Sequence, residues 1–361
     1  MPDTGHFYYI MAGKLKISVF MAHKSTKLAA LAVLKQAAEP IAISMLAARL
    51  GSVPPRSLRR WLNAWAEQGI IEKSGRGRAT RYRYCIAQAD ATASLTFLVG
   101  LDNDLRQSLL KQLRDFWTHN STAIEGNTLT LGDTHFVLEE GLTISGKPLK
   151  DHQEVIGHAR AIELIYQALG EPLSAAFIFN LHTAILTEKI TDIYKPIGAW
   201  KIETNATYAI TGEGTQTFIE YALPVHVPRL MSELVDYVNS IEIATLNLGN
   251  AHQYYARIHM GIAHIHPFWD GNGRIARLIA NLPLLKAGLP PLVIPQDQRR
   301  EYIQALANYQ ISVGQLDEKS GLWPSTKHLK EFELFCASIY SITKVLVDNA
   351  HALQLKRNAH R

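Results

Sequence analysis

The chain is 361 residues long, 47% hydrophobic and 19% charged, the composition of an ordinary soluble protein with length for about two or three domains and a sizeable core. Its net charge of +5 is uneven: residues 1–95 hold 14 Lys and Arg against 5 Asp and Glu, a surplus of +9, which leaves the remainder at −4, so a polyanionic partner is expected to dock at the N-terminal quarter. No uncharged stretch reaches the roughly 18 residues of a membrane helix, and the apolar run in "KLKISVFMAHKSTK" is interrupted by charge and offers no small-residue cleavage site; this argues against a membrane span, a membrane partner and a secretory leader and puts the protein in the cytoplasm.

Residues 1–23 read as an N-terminal extension. After them "STKLAALAVLKQAA" has the pattern of an amphipathic helix opened by Ser25 or Thr26, "ISMLAARLGS" that of a short second helix ending at Gly51, and "PPRSLRRWLNAWAEQG" that of a third with Pro55 near its start and Gly69 after its end. A tight turn between the last two outlines a helix-turn-helix. In "IIEKSGRGRATRYRY" two β-prone stretches flank Ser74-Gly75-Arg76-Gly77, a hairpin signal. Residues 24–86, in a domain taken to end near residue 90, resemble a winged helix. The resemblance implies that the third helix presents Arg56, Arg59 and Arg60 to the major groove of double-stranded DNA while Arg76, Arg78, Arg81 and Arg83 meet phosphate. A protein-docking or dimerising winged helix, or a solvated basic face, fits the same residues. Cys85 and Cys336, the two cysteines, are too few and too far apart for a disulfide framework or a zinc site and read as buried small hydrophobes.

From about residue 95 helical spacing takes over, in "LDNDLRQSLLKQLRDFW", "QEVIGHARAIELIYQAL", "AAFIFNLHTAILTE", "VPRLMSELVDYVNSI" and "AHQYYARIHMGIAHIHP", so the fold class is mainly α. The one β element expected is a hairpin in "TYAITGEGTQTFIEYALP", turning at Gly212-Glu213-Gly214. "LVIPQDQRREYIQALANYQ" reads as a loop leading into a helix. Residues 346–361 read as a C-terminal tail, polar enough to fray from Ala350.

The stretch "HPFWDGNGR", residues 266–274, concentrates chemistry. A helix ends at or just before Pro267, "PFWDGNG" is a loop, and "RIARLIANLPLL" begins a second helix near Gly273. Free backbone N–H groups and the helix dipole at that start favour an anion, and glycines on either side of Asn272 permit positive φ and close approach. Arg274 and Arg277, three apart, share a face beside the same anion. Asp270 offers a carboxylate for Mg²⁺, which takes one or two protein carboxylates and fills its shell with substrate oxygens and water. His266 is the candidate base: a neighbouring cation and two arginines are expected to lower its pKa below ~6.5 and keep it neutral. A base, a metal ligand and a phosphate cradle suit attack by a hydroxyl on a nucleotide phosphate. His259, His264 and His266 fit no known zinc spacing, no P-loop pattern occurs, Phe268 reads as a core anchor, and Trp269 packs or lines the rim.

"HPFWDGNGRIAR" resembles the Fic signature H-x-F-x-[DE]-G-N-G-R-x-x-R at every fixed position from His266 to Arg277. The resemblance extends over roughly residues 95–345 and implies an all-α Fic core with a β-hairpin flap that docks targets. It implies protein AMPylation, in which a Ser, Thr or Tyr hydroxyl of a target protein, the chain itself included, attacks the α-phosphate of ATP. His266 would take the proton, Asp270 would hold Mg²⁺, Gly271, Asn272 and Gly273 would position the α- and β-phosphates, and Arg274 and Arg277 would bind the outer phosphates. Doc toxins, which transfer a terminal phosphate, carry lysine at the position of Gly273, so Gly273 argues for nucleotidyl transfer. "STAIEGN", residues 121–127, resembles the family's inhibitory pattern [ST]-x-x-x-E-[GN] through Ser121, Glu125 and Gly126: an acid after a capping-type serine sits at a helix end, free to reach a basic group. By resemblance that group is Arg277, and the pairing would silence the resting enzyme. In some members the equivalent acid positions water to remove AMP, and a transcriptional regulator with a nucleotide-sensing Fic module is a further reading. An oligomer is compatible with the sequence.

Overall fold

Two helices, α1 (Ile43–Leu50) and α2 (Pro55–Glu67), open the computed structural model, which describes residues 30, 33–34, 37, 39–51, 53–67, 71–75, 77, 80–84, 95–187, 192–210 and 215–360. Proline can begin α2 because its missing N–H falls where a helix has no acceptor for one. Leu58, Trp61, Leu62 and Trp65 recur at the helical period and form a small core with Leu46, Ile71, Tyr82, Ala30 and Leu34. Strands β1 (Ile71–Ser74) and β2 (Arg81–Tyr84) pair antiparallel, Ile71 opposite Tyr84. Ile41 bridges the outer side of β2, exchanging two 2.9 Å backbone bonds with Tyr82. This unit spans residues 1–91. Most of the helix read at residues 25–38, the stretch 14–27 read as no secretory leader, and Arg76, Arg78 and Cys85 lie outside the described residues.

Residues 92–361 form the second unit. Its helices are α3 (Asn103–Ile124), α4 (Leu131–Glu140), α5 (Leu149–Gln167), α6 (Ala175–Ile185), α7 (Val227–Ser240), α8 (Ala251–Ile265), α9 (Asn272–Ile279), α10 (Leu282–Lys286), α11 (Arg299–Val313), α12 (Thr326–Ile339) and α13 (Ser341–Ala359). Between α6 and α7 strands β3 (Ala206–Ile210) and β4 (Gln216–Glu220) make an antiparallel hairpin whose tip, residues 211–214, lies outside the described residues. From Ile258 to Ile265 the helix α8 is buried on every side, while Gln253 in its first turn is exposed, and the helix packs against α7, α9 and α12. Apolar residues around its whole circumference, not one stripe, mark a central helix. Among the described residues no helix is long and apolar enough to cross a membrane. Cys336 is buried within α12.

Two expectations from sequence are corrected. The C-terminal segment does not fray: α13 continues to Ala359, burying Thr343, Val347, Ala350 and Gln354. Gln354 accepts the Asp102 N–H at 2.7 Å and Arg357 forks onto Asp104 at 2.8 and 2.6 Å. The four buried positions keep the helical period, but two are polar, which hides the stripe in a hydrophobicity reading. "RIARLIANLPLL" is two helices, not one. Pro283 has no N–H to continue the ladder, and the Asn281 side chain fills the break, donating to the carbonyls of Arg277 and Leu292 and accepting from Leu292 N.

Among the buried histidines of this core are His158, His182, His259 and His264. Removal from water lowers the pKa of each, to about 4 for His182 and His264 and well below the ordinary value for the other two. Between those values and ~6.5 the unfolded chain binds more protons than the folded one, so their contribution to stability is complete above ~6.5 and is lost as pH falls toward 4. The thermal midpoint should fall from about pH 6.5 downward on account of these histidines. Onset only below about pH 5 would assign the loss to carboxylates instead.

Candidate active site

Helix α8 stops at His266, whose φ of 53° makes it the one non-glycine residue with positive φ among the described residues. The left-handed turn carries the chain through Pro267, Phe268, Trp269 and Asp270 to Gly271, at φ 80°, and into α9. Gly271 uses glycine's freedom of φ, whereas Gly273 already lies inside the helix. The loop closes on itself through Asn272, whose amide donates to the carbonyl of Phe268 and accepts its N–H, both at 2.8 Å. The Asn272 side chain is therefore occupied in the loop, and its backbone N–H is what remains for an anion. Phe268 is fully buried and stacks on His182 at 3.8 Å. His182 accepts from Gly198 N at Nδ1 and so donates from Nε2 to the Asp270 carbonyl, 3.1 Å away.

The imidazole of His266 stacks on Tyr221, ring centres 3.7 Å apart and planes 8° from parallel. Its Nδ1 lies 3.3 Å from the Ala263 carbonyl. A carbonyl only accepts, so Nδ1 carries the proton and Nε2 keeps its lone pair. The His266 pKa is pushed down to about 3, first by removal from water and next by Lys201. The cause thus differs from the one read in the sequence: burial and a lysine act there, not the two arginines. Lys201 is itself 2% exposed; it donates to Asn205 Oδ1 and sits 5.9 Å from the Tyr221 ring, and burial lowers its pKa to about 7. His266, Tyr221, Trp269, Asp270, Thr204 and Thr207 line an open pocket of about 850 Å³ beside β3. Trp269 lies under Lys195, 5.0 Å from its ammonium.

Asp270 stands on the rim with its side chain 60% exposed. One carboxylate oxygen accepts from Gly271 N at 2.6 Å and the other is 3.4 Å from Arg274 Nη2. Among the described residues no three His, Cys, Asp or Glu side chains gather as a metal site. Asp270 therefore fits a hard cation that draws most of its shell from substrate and water, as Mg²⁺ does, and not a cation needing a protein cage.

At the start of α9, Arg274 and Arg277 are both buried. Arg277 donates from Nε to Ser121 Oγ (3.0 Å), from Nη2 to Ser121 O (2.8 Å) and to Glu125 Oε1 (2.6 Å), and from Nη1 to Tyr302 Oη (3.2 Å). Glu125 directly follows α3. Ser121 lies in the last turn of that helix, so it acts as a partner of Arg277 and not as an N-cap. A Cβ at Gly273 would stand 2.5 Å from Glu125 Oε1 and 3.0 Å from Arg277 Nη1. The absence of a side chain there is what lets the carboxylate lie across the first turn of α9. Partial removal from water raises the Glu125 pKa, its side chain staying 40% exposed, but Arg277, then Arg274 and Arg299, outweigh it and hold the carboxyl below its ordinary value.

The residues named from the two motifs thus converge, although Ser121 and Arg277 are 156 positions apart. Sequence reasoning missed His182, Lys201, Tyr221, Tyr302 and Arg299. Arg299 donates to the carbonyl of Ile124 at 2.7 Å. None of these has a local pattern that marks it; only the fold makes them neighbours.

A family model for the Fic/DOC family matches residues 172–284, the stretch holding the hairpin, His266, Asp270 and both arginines. The protein adenylyltransferase fic-1 of Caenorhabditis briggsae is 31% identical over 205 residues, 55% of this chain and 37% of that protein. The protein adenylyltransferase Fic of Drosophila willistoni is 34% identical over 223 residues, 61% and 42% of the respective chains. The chain thus spans well under half the length of these curated relatives. A solved Fic domain containing signaling protein from Bacteroides thetaiotaomicron superposes with a TM-score of 0.61 at 28% identity, covering 73% of this chain and 97% of that one. The solved Fic-1 from C. elegans, at 20% identity, shares the fold with a TM-score of 0.54 over 94% of this chain and 86% of its own. Within the C-terminal unit, residues 172–284 therefore match the Fic/DOC family.

Proposed function

We propose that the chain is a protein adenylyltransferase that moves AMP from ATP to a Ser, Thr or Tyr hydroxyl of a target protein and is held off in cis by Glu125. The observation that carries this reading is that the unengaged Nε2 of His266, the exposed carboxylate of Asp270 and the arginine-bearing start of α9 belong to one loop and its helix. The target's hydroxyl oxygen attacks the α-phosphorus, the bond to the bridging oxygen of the β-phosphate breaks, pyrophosphate leaves, and the hydroxyl proton passes to His266 Nε2. Backbone N–H groups of α9 with Arg274 and Arg277 hold the phosphates. Mg²⁺ on Asp270 would neutralise phosphate charge. In the resting chain Glu125 occupies Arg277 and covers Gly273, so the outermost phosphate lacks its partner.

ATP labelled on the α-phosphorus should mark a protein in a lysate treated with the Glu125→Gly chain, and ATP labelled on the γ-phosphorus should not. The reverse pattern would make the chain a kinase.

The N-terminal unit is read as a winged helix that recruits the enzyme to double-stranded DNA. Support comes from the isolated bridge of Ile41 to β2, and from Arg56, Arg59, Arg60 and Arg83, all exposed. Binding of duplex DNA by the intact chain should weaken with salt, each neutralised phosphate adding about −0.9 to the log–log slope, and Arg59→Ala and Arg60→Ala should flatten that slope. No binding at low salt would leave protein docking as the role of this unit.

A further inference from the structure

Tyr302, on α11, belongs to neither motif, yet its hydroxyl holds the Nη1 edge of Arg277. It is 1% exposed and rests against Phe332 and Phe335, with the guanidinium carbon of Arg277 5.9 Å from its ring centre. A phenol has one hydrogen to give, and arginine only donates. The Tyr302 hydrogen must therefore go the other way, to His259 Nε2 at 3.1 Å. His259 is thereby fixed with its proton on Nδ1, an atom that has no partner among the described residues. Its complete burial and the charge of Arg277 both keep that ring neutral, hence able to accept. A one-way chain of hydrogen bonds runs from Arg277 through Tyr302 to His259, anchored in the core helix α8.

An arginine carries five N–H groups. Ser121 engages Nε and one N–H of Nη2, Tyr302 one of Nη1, and Glu125 the other of Nη2. When Glu125 leaves, the freed Nη2 hydrogen and the second hydrogen of Nη1 form a fork suited to two oxygens of one phosphate. Ser121 grips only one edge of the guanidinium plane, and Tyr302 grips the other.

We infer that Tyr302 is a positioning residue for Arg277, holding the guanidinium fork aimed at the outermost phosphate of a nucleoside triphosphate so that this phosphate is recognised the moment Glu125 withdraws. The inference rests on the reading that Arg277 binds that phosphate.

The test uses the full chain carrying Glu125→Gly and His266→Ala, which exposes Arg277 and cannot turn ATP over, and measures Kd for ATP and for ADP by calorimetry. Adding Tyr302→Phe keeps the ring and removes the hydroxyl. Affinity for ATP should fall about tenfold, the equivalent of ~1.4 kcal/mol, while affinity for ADP, which lacks the outermost phosphate, stays within about twofold. His259→Ala keeps the hydroxyl but frees its hydrogen, and should give a smaller loss confined to ATP. It serves as the second arm if Tyr302→Phe lowers the thermal midpoint. Unchanged ATP affinity in both variants, or equal losses for ATP and ADP, overturns the positioning role while leaving the phosphate reading intact. A parent chain that does not prefer ATP over ADP, and is indifferent to Arg277→Ala, overturns both.

Discussion

His266→Ala is expected to bring AMP transfer down by at least the ~10²–10⁴-fold typical of a lost general base, with Kd for ATP nearly unchanged. The separation follows from the geometry. The ring is held by Tyr221 on its face and by the Ala263 carbonyl at Nδ1, so only Nε2 is offered to a substrate, and the groups disposed to bind phosphate lie on α9. Asp270→Ala should also abolish transfer, because Asp270 is the one acidic side chain of this loop. The free-enzyme pH profile carries a further signature. With its pKa lowered to about 3, His266 is deprotonated and competent as a base throughout the neutral range, so kcat/KM should show no acid limb near ~6.5, the ordinary histidine value. Transfer within a few-fold of wild type in His266→Ala would sink the mechanism; an acid limb at ~6.5 would leave His266 as base but contradict the burial and lysine account of its pKa.

Glu125→Gly should raise ATP affinity and AMP transfer together by at least tenfold, which requires only ~1.4 kcal/mol of bias between blocked and open states. Burial of the pair is asymmetric: the side chain of Arg277 is 2% exposed and that of Glu125 40%. Water screens the carboxylate side, so the ion pair adds little to fold stability, while the guanidinium stays fixed by Ser121 and Tyr302 after the acid is removed. What changes is occupancy of the anion ground. The carboxylate no longer lies over Gly273, and Arg277 regains an N–H for phosphate. Arg277→Ala separates this from a general loosening of the fold, since it frees Glu125 but also removes the clamp. The double variant should then be no more active than Arg277→Ala alone. A folded Glu125→Gly chain with no gain in ATP affinity or in transfer would show that the contact with Arg277 does not restrain the enzyme.

The primary sequence by itself determined the elements whose cause is local. Spacing of apolar residues marks α3, α7 and α8, Pro55 and Gly51 mark helix ends, and the alternation around Gly212 and Gly214 marks the hairpin; each depends on neighbours within a turn or two. The run from His266 to Arg277 is legible for the same reason, because loop, glycines and helix start are contiguous. Only the tertiary structure decided what reaches across sequence distance. Lys201 and Tyr221, on either side of the hairpin, meet His266 because the hairpin lies beside the end of α8, and no spacing in the chain encodes that approach. Tyr302 meets Arg277 because α11 and α9 both pack on α8. The paths that looked regular also failed where a distant partner intervened: Leu292 and Asn281 end α9 early, and Asp104 with Asp102 holds α13 to its last turn. A periodic pattern reports which face of a segment is buried, whereas the identity of the partner on that face, and so the charge it meets, is set by packing between segments that the local pattern does not see.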